Sequence, residues 1–288
     1  MGRLAYVNGR YVPHGHAMVH IEDRGYQFAD GVYEVVPVVD GVLIDEEQHL
    51  DRLGYSLAEL RIDWPVRRAA LKLILRELMA RNGLRRGIIY FQVTRGVAPR
   101  DHKFPCAAKS ALVITTKRLS PPSAAMIQDG VAVSTQPDIR WARRDIKSIS
   151  LLPNILAKQA AVEAKAFEAW LVKADGIVTE GSSTNAWIVT KAGEVVTHAR
   201  NHDILGGVTR QALLELVTSA GIKLVERSFT VTEAFAASEA FLTSSSAFIV
   251  PVTRIDGKAV GNGKPGPITQ KLREIYVEGV DRQIRAAS

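Results

Sequence analysis

Residues 118–129 read RLSPPSAAMIQD. The stretch holds Pro121, Pro122 and Ser123 and has no apolar periodicity, which is the composition of a connection between lobes. The chain is 288 residues long, past the roughly 250 residues at which a single core stops growing. Two lobes are therefore expected: a smaller N-terminal α/β domain over 1–120, a linker over 121–130, and a larger C-terminal α/β domain over 131–288.

Toward the N-terminus, short apolar runs alternate with Asn8-Gly9 and Asp40-Gly41, dipeptides that accept the positive φ angles of tight hairpins. His49, Leu50, Leu53, Leu57 and Leu60 recur near helical spacing in Asp45–Leu60, and a second helix is expected over Pro65–Asn82, closed by Gly83. The β-branched and aromatic runs GIIYFQVTR (87–95) and SALVITTK (110–117) predict two strands flanking a polar loop that carries Pro99, His102 and Pro105. Toward the C-terminus, VAVST leads through a basic stretch to an expected helix at Leu151–Ala166. Strands follow near 168–173 and 185–190, then a helix from Thr209 closed by Gly221, strands near 240 and 250, and a last amphipathic helix from Pro267. The expected class is α/β, of the α+β type with mixed sheets, in two lobes with a cleft between them.

Composition narrows the function. At 47% hydrophobic, 23% charged and 7% aromatic the chain is ordinary globular protein, which excludes disordered, collagenous and disulfide-scaffold classes. Thirty-seven basic against 30 acidic side chains leave a net charge of +7, a bias toward anionic ligands. Cys106 is the single cysteine, so no internal disulfide forms, and no window approaches the roughly 18 apolar residues of a membrane span. The start lacks a secretory core; a cytoplasmic protein without membrane contact is expected.

Four clusters could carry chemistry. Lys147 lies in RWARRDIKS (140–148), where Arg143 and Arg144 as like charges and burial beside Ile146 would favour a neutral, nucleophilic amine; a solvated basic turn fits the same residues. Glu180 is the one charge in TEGSSTN (179–185), placed between two strand-like runs. It suits a protonated heterocycle, while a self-satisfied polar turn is the bland reading. Gly206 and Gly207 in ILGGVTR (204–210) precede a helix whose first N–H groups would attract phosphate, with Ser244, Ser245 and Ser246 as a second half of the cup; an ordinary helix start and a capped turn fit equally. Arg100 and His102 in PRDHKFP (99–105), with Tyr33, suit a carboxylate, and Asp101 could instead neutralise Arg100. His14, His16 and His20 have no accompanying carboxylate or thiol pattern, so no metal site is expected.

In chain order, EDRGYQFADGVYEVV (22–36), QVTRG with PRDHKFP, RRDIKS, LAKQ, TEGSSTN, ILGGVTR and LTSSS form a set that resembles the fold-type IV (class IV) pyridoxal-phosphate-dependent aminotransferases, and within them the D-amino-acid branch. The resemblance implies pyridoxal 5′-phosphate as cofactor and Lys147 as its Schiff-base lysine and proton shuttle. Glu180 would face the pyridine nitrogen. Arg52, Val208, Thr209 and Ser245 would hold the phosphate, and Tyr33, Arg100 and His102 the substrate α-carboxylate. Two positions depart from the pattern: Asp101 replaces a small residue, and Ser245 stands where threonine is usual. The resemblance further implies ping-pong transfer from a D-amino acid to a 2-oxo acid by a homodimer. The rivals are a branched-chain L-amino acid or (R)-amine aminotransferase and an aminodeoxychorismate lyase of the same fold. A non-catalytic nucleic-acid binder, argued from the basic segments 67–86 and 140–147, lacks the interleaved aromatics of a recognition motif.

Overall fold

A computed structural model describes residues 2–287, which group into two compact units. The first holds the chain up to Ser120, the short segment Ile146–Ser150 and the chain end from Ala286. The second holds Pro121–Asp145 and Leu151–Arg285.

The first unit is built from β1 (Leu4–Val7), β2 (Arg10–Pro13), α1 (Arg24–Phe28), β3 (Gly31–Val39), β4 (Val42–Leu43), α2 (Glu46–Glu59), α3 (Arg68–Arg81), β5 (Gly87–Thr94) and β6 (Ala111–Arg118). Its strands form one antiparallel sheet in the order β2-β1-β6-β5-β3-β4. Asn8-Gly9 and Asp40-Gly41 both take positive φ at their two positions, as hairpins of this hand demand. Leu50, Leu53 and Leu57 of α2 and Leu71, Leu75 and Leu78 of α3 share one core with Val32, Val36, Ile89, Phe91 and Val93 of the sheet.

The second unit comprises α4 (Ala124–Gln128), β7 (Val131–Pro137), α5 (Leu152–Glu163), β8 (Glu168–Val172), β9 (Ile177–Gly181), β10 (Asn185–Val189), β11 (Val195–Thr197), α6 (Val208–Ser219), β12 (Leu224–Glu226), β13 (Phe229–Thr230), α7 (Val231–Ala236), β14 (Glu239–Ser244), β15 (Phe248–Ile255), β16 (Lys258–Ala259) and α8 (Pro267–Ala287). The strands form a mixed sheet in the order β12-β11-β10-β14-β15-β7-β8-β9-β13, with β16 beside β15. β7 pairs parallel with β8, and β11 with β12; α5 and α6 are the crossovers that such pairs need. Every residue of β10, NAWIV, is buried, as expected for a strand covered on both faces.

Three expectations are corrected. The 121–130 segment is no bare linker: Ser123 caps α4 by accepting the Met126 N–H at 3.2 Å, and Met126 packs on the second unit's core. Lys147 does not travel with the larger unit. Its carbonyl accepts the Tyr33 N–H at 3.0 Å, and the Ile149 N–H reaches the Gly31 carbonyl at 3.1 Å, so 146–149 lines the start of β3. Glu180 lies within a strand, β9, rather than in a turn after one; the turn proper is Ser182–Thr184.

Candidate active site

In the first unit Lys147 is half-buried and fixed by its backbone: its N–H donates to Ser56 Oγ at 3.1 Å, and its carbonyl is held by β3. Gly31 makes this approach possible, since a Cβ there would sit 2.7 Å from the Val93 carbonyl and 3.0 Å from Ile149 Cδ1. The Lys147 ammonium lies 4.2 Å from the centre of the Tyr33 ring and has no hydrogen bond or ion pair among the described residues. Tyr33 in turn packs on Tyr90, with ring centres 5.7 Å apart. Arg143 and Arg144, expected as like charges bearing on the lysine, are neutralised instead: Arg143 by Asp145, Arg144 by Asp138 and Asp203.

Arg52 lies against Glu34 in a bidentate pair, Nε to Oε1 and Nη2 to Oε2 both at 2.8 Å, and His49 Nδ1 takes Oε2 at 2.7 Å. Burial opposes the charge on Glu34, but Arg52 and His49 hold its pKa down to about 2. Sequence reasoning passed over Glu34 and His49. Their signal was a carboxylate in phase with the buried positions of β3, Val32 and Val36, opposite a His and an Arg one helical turn apart on α2.

Arg100 and His102 are exposed on the loop between β5 and β6, and both rest on Phe28. The ring contacts of Tyr33 are instead with Tyr90 and Lys147. Asp101 does not neutralise Arg100; its carboxylate pairs with Lys103 at 3.3 Å.

In the second unit the Glu180 carboxylate is buried with three donors on it: Arg140 Nη1, Asn185 Nδ2 at 3.0 Å and the Leu205 N–H at 3.0 Å. Burial pushes its pKa upward, and Arg140 with the Leu205 N–H opposes that rise. Arg140 is also forked onto Asp138. Asn185 connects the remaining pieces. It pairs across the sheet with Thr243, two residues before Ser245, and its Oδ1 faces Gly207 so closely that a Cβ there would come within 2.0 Å. Glu180, the start of α6 and the β14–β15 turn holding Ser245 therefore share one end of this sheet. Gly207 is the N-cap of α6 and offers no side-chain cap, and the N–H groups of Val208 and Thr209 have no acceptor among the described residues. Arg140 and Asn185 were also missed as site residues; nothing local in the sequence pairs them with Glu180.

The family model for class IV amino-transferases matches residues 31–255, from the first residue of β3 to the last of β15. The chain belongs to the class IV aminotransferases. This class IV aminotransferase is 43% identical over 266 residues to a D-alanine aminotransferase of Bacillus licheniformis, covering 92% of this chain and 93% of that protein. It is 41% identical to a D-alanine aminotransferase of Listeria innocua, with 96% of both chains covered. Among solved structures it superposes on a T.th. branched-chain amino acid aminotransferase, solved with pyridoxamine 5′-phosphate, at a TM-score of 0.89 and 25% identity over 98% of this chain and 95% of that one.

Proposed function

We propose that this class IV aminotransferase uses pyridoxal phosphate to move the amino group of a D-amino acid, with D-alanine foremost, to a 2-oxo acid such as 2-oxoglutarate. The observation that carries the reading is the 43% and 41% identity, over nearly the whole chain, to two proteins named D-alanine aminotransferase. The residues present fit the cofactor, which offers a protein an aldehyde, a ring nitrogen and a phosphate. Lys147 is an amine with no anionic partner, Glu180 a buried acceptor, and the Val208 and Thr209 N–H groups are donors at a helix N-terminus. The hydroxyl of Thr184, in the turn between Glu180 and Asn185, is buried and also without a partner.

Bound there, pyridoxal phosphate supplies the electrophilic carbon and the ring that takes up the electron pair left when Cα loses its proton. Lys147 Nζ would be the group that holds the cofactor and, when free, the base that could move the α-proton of the substrate. Glu180 would face the ring nitrogen, where Arg140 and the Leu205 N–H work against the upward push that burial gives its pKa and so favour the carboxylate form that could accept from a ring N–H. The Val208 and Thr209 N–H groups and the Ser245 hydroxyl, with Arg52 as the resemblance implies, are the donors that would hold the cofactor's phosphate. Tyr33, Arg100 and His102 bind the α-carboxylate of amino acid and 2-oxo acid alike, and fix which face of Cα meets Lys147.

The working form is a homodimer. Arg100 and His102 stand exposed, and α5 shows Leu152, Ile155, Leu156 and Val162 to solvent on one helical face. Both observations suit a second copy that covers α5 and receives Arg100 and His102. A cytoplasmic location fits the same substrates; no helix among the described residues is long and apolar enough to cross a membrane.

The test is direct. Purified protein is expected to be yellow, to bleach with borohydride, and to carry a pyridoxyl adduct on Lys147 by mass spectrometry. With 2-oxoglutarate it is expected to turn over D-alanine and not L-leucine; turnover of L-leucine alone would move the chain to the branched-chain branch. Lys147→Ala is expected to abolish turnover and colour while leaving the circular dichroism spectrum unchanged. An active Lys147→Ala protein overturns the assignment.

A further inference from the structure

We propose that Phe28 is the positioning residue that sets Arg100 and His102 side by side for a carboxylate, with an Arg24–Asp30–Arg95 clamp holding their loop; this rests on the carboxylate-binding role proposed for Arg100 and His102. The segment between β5 and β6 has no regular structure over Pro99–His102, and both side chains are exposed. An exposed arginine on such a loop ordinarily samples many rotamers. Here both groups share one surface. The Arg100 guanidinium carbon lies 5.0 Å from the centre of the Phe28 ring, and the His102 ring centre lies 5.5 Å from it, tilted by 50°. The electron-rich face of the ring attracts the guanidinium and leaves its N–H edges open to an anion.

The backbone under the pair is held separately. Arg24 lies 4.8 Å from the same ring and donates Nη1 to the Asp101 carbonyl at 2.6 Å, which ties down the residue between Arg100 and His102. Arg24 Nε is itself paired with Asp30 at 2.7 Å. Asp30 also takes Arg95 through Nε and Nη2 at 2.8 and 2.9 Å, and Arg95 reaches the Leu60 and Arg61 carbonyls beyond the end of α2. Burial works against the charge on Asp30, yet Arg95 and Arg24 hold its carboxyl below the usual range. The clamp thus stays ionised wherever an aminotransferase works. Asp101 turns its carboxylate to Lys103, so Arg100 has no carboxylate partner among the described residues. The result is a prearranged pair of donors for a ligand that brings its own carboxylate.

The experiment compares holoenzymes of wild type, Phe28→Leu, Phe28→Tyr, Arg100→Ala and the Phe28→Leu/Arg100→Ala double variant. Phe28→Leu is expected to raise KM for both D-alanine and 2-oxoglutarate by about five- to tenfold with kcat within about twofold of wild type. Phe28→Tyr keeps the ring and is expected to stay near wild type. The double variant is expected to resemble Arg100→Ala, since Phe28 acts through that side chain. Cofactor absorbance is expected to be the same throughout. Should Phe28→Leu not fold, Phe28→pentafluorophenylalanine preserves shape and inverts the charge on the ring face, and the same rise in KM is expected. A ring-free variant with unchanged KM, or effects that simply add to those of Arg100→Ala, overturns the role of Phe28. If Arg100→Ala itself leaves KM unchanged, it is the carboxylate assignment that fails.

Discussion

Glu34 is wholly buried in β3 and nonetheless ionised, because Arg52 and His49 supply donors to both of its oxygens. Its pKa of about 2 stands below the ordinary 4.5, so the charged form is favoured in the folded chain by about 3 kcal/mol. For a depressed carboxylate that contribution is complete above about pH 4.5 and is lost as pH falls toward 2. Glu34→Gln is expected to lower the urea midpoint at pH 7 and to flatten the decline between pH 5 and pH 3 that wild type shows. Equal declines in the two proteins would show that another group titrates there. The pairing also fixes the guanidinium assigned to the phosphate, so Glu34→Gln is expected to weaken cofactor retention on dialysis. Lys147 and Glu180 stand out in the sequence as candidates by residue type and motif order. Glu34, His49, Arg140 and Asn185 were not, because each acts through a partner brought near only by folding.

At the scale of elements, α6 is placed by a contact that tolerates no side chain. Gly207 has φ −60° and ψ 134°, a conformation open to any residue, so glycine is required there for space rather than for backbone freedom. A Cβ would strike Asn185 Oδ1, and Asn185 also donates to Glu180 and to the Leu205 carbonyl. Gly207→Ala is therefore expected to cost about 1 to 3 kcal/mol by overpacking and to weaken cofactor binding, read as a rise in the pyridoxal phosphate concentration needed to restore colour to apoprotein. Unaltered reconstitution would detach the α6 start from the site. The expected glycine pair thus stands directly before a helix, α6, with Gly207 as its N-cap. The helices α2, α3, α5, α6 and α8 were readable because apolar spacing, joined for α3 and α6 by the closing Gly83 and Gly221, is a local signal. β9, β11, β12 and β13 were not: strands of two to five residues without clean alternation are defined by their neighbours in the sheet.

For the whole molecule, the outward Leu152, Ile155, Leu156 and Val162 face of α5 is a cost for a lone chain and an asset for a pair. Sedimentation velocity is expected to give twice the mass of the 288-residue chain. Leu156→Glu is expected to yield monomer that keeps its secondary structure and loses D-alanine turnover. A fully active monomer would show that Arg100 and His102 serve the chain that carries them. The net charge of +7 is a bias toward anionic ligands.

The order of motifs along the chain was enough to identify the family, and it singled out Lys147, Glu180 and the glycine pair before α6 as candidates, because each lies in a short run whose chemistry is written in adjacent residues. Tertiary structure alone assigned Lys147 to the first unit, put Glu180 inside a strand under Arg140 and Asn185, turned Asp101 away from Arg100, and laid Arg100 and His102 on Phe28. Those are relations between residues tens of positions apart. Hydrogen bonding, packing and charge pairing act over a few ångströms in space, and only the fold decides which distant residues come that close.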